Sequence, residues 1–557
     1  MALYQIALIL LLSSSFVFAE EFSESKQILY SMHTGDLKNT LELYQQFRKK
    51  KGRHDIEMIQ QIGLTLLDQG HRSKDTQKQL MTLFGAGIST NERCLYILEE
   101  CLASSTPEIQ LIALNYLARF HHDRADESLN KALAANHLLI RMEALSYLAE
   151  KKHPKALGQT EALMSKVDPE LFPLFPQFFA LMGDAGSTKA LKRMLSYPNE
   201  KVRVAAILST AKHNRDDLLP QIRKLAAQHH PIQQEACAIA LGLLHDESSL
   251  PRLLQLSKSS SESIRLASLQ ALYRLGKKEV GSLIEKEAQN FNLFAIQMLG
   301  DMPGSEEILY ELSKNSNLQI RINAALALLN RQDSRCLLPL VEILLHDSRD
   351  LAFIKIATLS SGLTAWKAIP SASHNLKDNP VAFELSLELR ETTLAKALDL
   401  QPKDFLAIAE AIFETHQNDL VPTLVDLLEN MNTPQAIALL KKYQQKAGAP
   451  LIRNYCNLAL FNLKEEGPYA ENLRQWILKQ QKEDFIRFRP CLPWEVRSDN
   501  ARFELNPEET SKLLIKSIES FARNLDDKGI DVLLDALLHG NEKNRYAIAG
   551  LLIRATM

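Results

Sequence analysis

His121-His122-Asp123 and His229-His230 are the residues whose types most invite chemistry, because imidazole and carboxylate are common metal ligands. Neighbours on a helix project about 100° apart, so one ion seldom takes both members of an adjacent pair. The two pairs also sit at unequal positions within the repeat described below, and no metal site is assigned to them. Glu99-Glu100 and Asp216-Asp217 are carboxylate pairs without a companion base, and solvated helix ends account for both. His-Glu-x-x-His, a Walker-type glycine loop, a Gly-x-Ser-x-Gly elbow and Cys-x-x-Cys are all missing from the sequence. The expectation is a protein that is not an enzyme and uses no metal or cofactor.

What recurs instead is a spacing. Val202-Arg203, Gln233-Gln234 and Ile264-Arg265 lie 31 residues apart, and the same step backwards reaches Ile140-Arg141 and Ile109-Gln110. Phe172, in Asp168-Pro169-Glu170-Leu171-Phe172, holds the remaining rung in degenerate form. Leu191, Ile222 and Leu253 make a second ladder with the same step. A period of this size marks stacked supersecondary units. With the Arg position counted as zero, apolar or small residues return at −1, +3, +4 and +7. Ile140, Ala144, Leu145 and Leu148 do so, as do Ile264, Ser268, Leu269 and Leu272, and Ile320, Ala324, Ala325 and Leu328. That is one face of a helix. A preceding helix opens with Leu219-Pro220, Leu250-Pro251 or Leu338-Pro339, where proline costs little because first-turn N–H groups have no intrahelical partner. No segment is assigned as strand, and the chain reads as all-α.

Paired helices, the Leu-Pro of the first and the hydrophobic-Arg pair opening the second resemble the HEAT-repeat family, including the bacterial variety called PBS-lyase HEAT-like repeats. The resemblance covers residues 106–365 well, and 384–480 and 507–557 more loosely. It implies a right-handed α-solenoid, a superhelix of stacked antiparallel helix pairs. By the same resemblance, Arg141, Arg203, Arg265, Arg321, Arg453 and Arg545 form a structural ladder, joining units through turn carbonyls and side chains. The family usually places an acidic residue six positions ahead of each such Arg. Here those positions hold Tyr197, Ser259, Asn315 and His539, which leaves the partner of each Arg open.

Positions +5 and +9 of the second helix, which line the concave side in HEAT-like arrays, read Asn115/Arg119, Ser146/Glu150, Leu208/Lys212, Ile239/Leu243, Gln270/Arg274 and Leu326/Asn330. Four apolar residues in a stripe of twelve are many for a solvated groove. Either neighbouring loops cover them, or the groove takes a partner segment around Leu208, Ile239 and Leu243. The expected function is a non-enzymatic protein-binding scaffold, with Asn115, Arg119, Leu208, Lys212, Ile239, Leu243, Gln270, Arg274 and Leu326 as the partner-binding residues. Two other readings stand beside it. One is an enzyme-associated or modifying factor of the bilin-lyase kind, and the other is a HEAT-like nucleic-acid binder.

A chain of 557 residues exceeds one compact core, and a solenoid escapes that limit because each unit packs only on its neighbours. Its 65 basic and 67 acidic residues leave no cationic excess for a phosphate backbone, so nucleic acid is not an expected partner. The partner is a protein of unknown identity, and the chain is expected to be a monomer. Cys94, Cys101, Cys237, Cys336, Cys456 and Cys491 show no disulfide framework. Cys94 and Cys101, on one predicted helix, would stand about 10 Å apart, beyond bridging distance. Residues 2–19 run apolar to Val17 and Ala19, which suit a signal-peptidase site before Glu20, so export to the periplasm or medium is expected. Membrane contact would come only through that segment if retained. The expected organisation is a signal peptide at 1–19, an N-terminal cap at 20–105, a solenoid block at 106–365 and a linker at 366–383. A second block at 384–480, an irregular segment at 481–506 and a C-terminal capping helix pair at 507–557 complete it.

Overall fold

A computed structural model describes residues 24–345, 351–370, 380–446, 448–483, 488–489, 506–524 and 526–556. The expected signal peptide at 1–19, Cys491, most of the 481–506 segment and residues 371–379 of the expected linker lie outside them. No described helix is long and apolar enough to cross a membrane. The chain forms two compact units, one from residues 1–128 and 440–557, the other from 129–439.

The first unit opens with α1 (24–33), α2 (Leu37–Lys51), α3 (Ile56–His71), α4 (Thr76–Ser89), α5 (Leu95–Cys101) and α6 (Pro107–Arg119). Asp36, Asp55 and Asp75 each accept from first-turn N–H groups of the helix they precede, which satisfies donors left over at a helix start. The basic run at the end of α2 sits at a helix C-terminus closed by Gly52 at φ +72°, where cations suit the dipole and a left-handed residue suits glycine.

Beyond α7 (Asp123–Ala132), the second unit stacks helix pairs. Its elements begin with α8 (Leu138–Glu150), α9 (Ala156–Met164), α10 (Pro176–Met182), α11 (Ala185–Leu195), α12 (Glu200–Lys212), α13 (Leu219–Ala226), α14 (Pro231–Leu243), α15 (Leu250–Leu256) and α16 (Glu262–Arg274). They continue as α17 (Gly281–Gln289), α18 (Leu293–Leu299), α19 (Glu306–Leu312), α20 (Leu318–Asn330) and α21 (Leu337–Leu344). At the degenerate rung the chain takes a tight 3₁₀ turn, Pro169–Leu174, before α10 begins. The rung prolines Pro173 and Pro176 withhold the N–H groups an α-helix there would need. Second helices approach closely where small residues meet: a Cβ added at Gly242 on α14 would fall 2.7 Å from Cα of Ala271 on α16.

The all-α class holds apart from two small strand pairs among the described residues. Strands β1 (Leu351–Ala357) and β2 (Thr364–Pro370) form an antiparallel hairpin in register Leu351↔Pro370 to Ala357↔Thr364. The expectation of no strand fails there, and the linker expected from 366 begins inside β2. Ile354, Ile356, Thr364 and Ile369 supply β-branched residues, and Ser360-Ser361-Gly362 supplies the turn. The hairpin is an insertion in one helix pair. α21 ends at Leu344, and its partner α22 (Pro380–Ala397) sends Arg390 back to that carbonyl at 2.7 Å. α23 (Pro402–Glu414), α24 (Val421–Met431) and α25 (Pro434–Gln445) follow.

The C-terminal helices α26 (Pro450–Asn462), α27 (Tyr469–Gln480), α28 (Glu509–Arg523), α29 (Asp527–His539) and α30 (Arg545–Ala555) return to the first unit, with a two-residue strand pair, β3 (Phe488–Arg489) and β4 (Asn506–Pro507), ahead of α28. The capping pair expected at 507–557 is therefore three helices, and it packs on the N-terminal cap. α30 crosses α4 at Gly550 and Gly85, where a Cβ on Gly550 would come 2.6 Å from the Gly85 Cα. Arg48 on α2 pairs with Asp531 on α29, and buried His54 bonds the Tyr44 hydroxyl at 3.1 Å and the Asp527 carbonyl at 3.3 Å. Because the Asp527 carbonyl can only accept, His54 Nε2 carries the proton of a neutral ring and Nδ1 accepts from the Tyr44 hydroxyl, whose oxygen in turn accepts from the Asp55 N–H at 3.1 Å. Burial first, and the Asp55 charge besides, raise the Tyr44 hydroxyl well above its usual pKa.

Candidate functional site

The rung arginines sit at the start of each second helix and bond backward. Arg203 donates to the carbonyls of Tyr197 and Pro198 at 2.7 Å each, Arg265 to that of Ser259 at 3.1 Å, and Arg321 to those of Asn315 and Ser316 at 2.9 Å. The acceptor at the position where the family carries an acid is thus the main chain of that same residue. A second donor reaches the following unit: Arg203 to Gln233 at 2.6 Å, Arg265 to Glu287 at 3.0 Å and Arg321 to Glu342 at 3.1 Å. Gln234, standing at a rung in place of Arg, donates to the Gln228 carbonyl at 2.6 Å. Arg545 donates to the Leu537 carbonyl at 3.1 Å, not to His539. Arg141 buries its Nε without a hydrogen-bond partner, and Arg453 lies in the first unit with the start of α26.

Carboxylates in the turns between pairs are held ionised. Hydrogen bonds from Arg335 keep Asp333 below the usual carboxylate range, and those from Arg215 do the same for Asp217. At Asp246 burial acts in the opposite sense, but hydrogen bonds from Arg223, at 2.8 Å, and from Ser249 outweigh it and the pKa is again lowered. Depressed folded values mean that this stabilisation is complete above the unfolded value of about 3.9 and disappears as pH falls through the folded ones. Helix content followed by circular dichroism is expected to hold at about pH 5 and fall below about pH 4, with a shallower fall in Asp246→Asn. A profile unchanged by that substitution would count against the assignment.

The stripe expected at +5 and +9 is divided by the fold. Asn115, buried, and Arg119, exposed with its guanidinium 5.3 Å from the Tyr116 ring centre, belong to the first unit. Leu208, Lys212, Ile239, Leu243, Gln270, Arg274 and Leu326 belong to the second. Lys212 is exposed, Leu243 is 40% exposed, and Leu208, Gln270 and Arg274 are half-buried. Arg274 reaches Asp301 at 3.5 Å. Ile239 and Leu326 are buried. What covers Ile239 is the hairpin tip: a Cβ on Gly362 would clash with the Ile239 side chain. Ile239 is therefore not open to a partner in this structure, and the loop-cover reading holds at that residue.

The hairpin lies along the same face, held by residues the stripe did not include. Asn323 on α20 takes the main chain of Trp366 from both sides, accepting its N–H at 3.0 Å and donating to its carbonyl at 2.8 Å. One turn earlier Gln319 does the same to Ala368, at 2.7 Å in each direction. Trp366 and Ala368 are two apart, so both present their polar groups at one edge of β2. Gln297 on α18 donates to the Asn323 Oδ1 at 2.8 Å, and Asn323 also donates to the Gln319 carbonyl at 2.8 Å. All four hydrogen-bonding valences of Asn323 are filled, which fixes the side chain. At the far end Glu235 on α14, 1% exposed, accepts from the hydroxyls of Thr358 and of Ser360, the latter at 2.6 Å. On the other edge, the Phe353 N–H donates to Ser386 on α22 at 2.8 Å.

Glu235/Ile239 and Gln319/Asn323 are i, i+4 pairs, and each shares the face of its +5 neighbour. The available signal was polar residues at −2, +1 and +2 in helices otherwise apolar all round. Every residue of α14 from Gln233 to Gly242 is buried. A surface helix with no solvated face has something on both sides.

A stack of helix pairs with rung side chains bonded to the turns behind them defines the class, an α-solenoid. Residues 187–273, from α11 into α16, match the family described as HEAT repeats. No curated protein matches the chain. Among solved structures it is similar to the CpcE–CpcF complex of phycocyanin lyase from Nostoc sp. PCC7120, at 18% identity over 38% of this chain and 91% of that one, with a TM-score of 0.29. It is also similar to Kap121p, at 13% identity over 97% and 79% with a TM-score of 0.31, and to Kap121p bound to Pho4p, at 12% over 92% and 76% with a TM-score of 0.34.

Proposed function

We propose that the protein is a non-enzymatic scaffold that binds another protein through the face of its second helices. The observation that carries this reading is the grip of Gln319 and Asn323 on the main chain of a strand. Side-chain amides that bond both the N–H and the C=O of one residue hold extended polypeptide whatever its side chains, the logic of strand recognition by main-chain hydrogen bonds. Leu208, Lys212, Leu243, Gln270 and Arg274 continue that face with mixed apolar and cationic character. Buried Glu143 and Glu235 on α8 and α14 speak against a nucleic-acid backbone as the ligand.

A photo-cross-linking residue placed at Leu243, on α14, and in a second variant at exposed Leu254, on α15, tests the face in the native cell. Adducts to a second protein are expected from position 243 and not from 254. Equal yields from both, or none from 243, would overturn the reading. The apolar stretch at 2–19 supports action outside the cytoplasm, and N-terminal sequencing of the mature protein is expected to begin at Glu20. A mature chain starting at Met1 or Ala2 would reverse that.

A further inference from the structure

The hairpin holds four recognition features in one line, and each is met by a residue of the stack. Glu235 takes hydroxyl donors from Thr358 and Ser360, and Ile239 occupies the space that a side chain at Gly362 would need. Asn323 and Gln319 take the main chain at Trp366 and Ala368. Thr358, Ser360 and Gly362 lie in the turn of the hairpin, closed by the Ser361 N–H to the Thr358 carbonyl at 2.8 Å, while Trp366 and Ala368 lie on the strand that follows. The hairpin is also an addition to the repeat rather than part of it. The pair it interrupts is already joined by Arg390 from α22 to the Leu344 carbonyl of α21.

We propose that the face from α14 to α20 is a receptor for a polypeptide that presents a Ser or Thr and, two positions on, a glycine in a turn, followed by an extended stretch, and that the hairpin is the chain's own copy of that ligand. This deepens the function proposed above and rests on it. Tethering gives the hairpin an effective concentration on the order of millimolar, so it excludes weak ligands until a stronger segment displaces it. With the hairpin away, Glu235, Gln319 and Asn323 would line the face with one anionic acceptor and two amides. Such a set recognises hydroxyl donors in the turn and main chain in the strand, and a segment without the hydroxyl donors would keep only the main-chain bonds.

The test is the full chain with residues 351–370 replaced by a Gly/Ser linker, titrated with a labelled peptide of the sequence 358–370 and read by fluorescence anisotropy. Saturable binding is expected, weakened at least about tenfold by Gln319→Ala with Asn323→Ala, and absent in the unaltered chain, where the site is filled. A replaced chain that keeps its helix content and cooperative melt yet binds no peptide would overturn the proposal, as would binding indifferent to those two residues. Should the replaced chain not fold, the intact chain decides by hydrogen exchange. With Thr358→Val and Ser360→Ala, the amides of Trp366 and Ala368, which donate to Asn323 and Gln319, are expected to exchange at least about tenfold faster while those of α20 do not change. Exchange of both together, or of neither, would show that the hairpin does not leave the face separately. Neither outcome bears on cross-linking at Leu243, so failure here and failure of the scaffold reading remain distinguishable.

Discussion

Gly550→Val is expected to cost the first unit about 3 kcal/mol or more, at the upper end of what overpacking does. The reason is a helix crossing made by two glycines. α30 meets α4 with Gly550 against Gly85, and a Cβ on Gly550 would lie 2.5 Å from the Gly85 carbonyl carbon. Real Cβ atoms do not approach backbone that closely, and backbone in a helix cannot step aside, so the two helices must part. Parting them exposes Leu83, Phe84, Leu552 and Ile553, all buried now. A control separates this from the general effect of removing a glycine. Gly158→Ala on α9, where an added Cβ meets nothing within 4 Å, is expected to gain about 0.5–1 kcal/mol, because Ala restricts the unfolded chain and favours helix. Thermal unfolding of both variants decides the matter. A Gly550→Val protein melting with the parent would mean that the chain's two ends are not joined at this crossing.

The 31-residue ladder was legible because stacked pairs repeat one chemical environment, and each rung must place an apolar residue and a long donor in the same two seats. The carbonyl acceptors of Arg203, Arg265 and Arg321 were not, since a main-chain partner leaves no trace in residue identity. Nor was the joining of the two chain ends, which depends on two glycines 465 positions apart with no periodic relation. The hairpin did leave a trace that the repeat obscured: two β-rich runs flank a Ser-Ser-Gly turn, but extending the helical period into Leu351–Pro370 concealed them. Ile239 and Leu326 signal cover by their apolar type in a stripe that the repeat alone would leave solvated, and both are buried. At Ile239 the covering segment is another part of the same chain. Glu235 and Asn323 point to it, because a buried acid and a buried amide in apolar helices need partners from another segment.

Arg390 is the second residue whose loss is expected to be severe. The hairpin inserts a long excursion between α21 and α22, and a helix pair interrupted in this way needs a join that the short turns of other pairs supply through their own geometry. Arg390 provides it: 2% exposed, it donates to the Leu344 carbonyl through Nε and Nη2 at 3.1 and 2.7 Å, to Gln417 at 2.8 Å, and to Asp419 in a buried ion pair. One guanidinium thus ties the end of α21 to the turn ahead of α24. Arg390→Met removes the charge and leaves the Asp419 carboxylate and the Leu344 carbonyl without their donor, a loss of about 3–5 kcal/mol for a broken buried pair. Arg390→Lys is expected to recover little of it, because one ammonium cannot hold the fork of acceptors at three places. The readout is hydrogen exchange resolved by segment, in which α21, α22 and α24 should lose protection while α12 to α16 keep theirs, since repeat units fail locally when one interface is weakened. Uniform loss across the unit would show that Arg390 holds no particular pair. Full protection in Arg390→Lys would show that charge alone, and not the fork, makes the join.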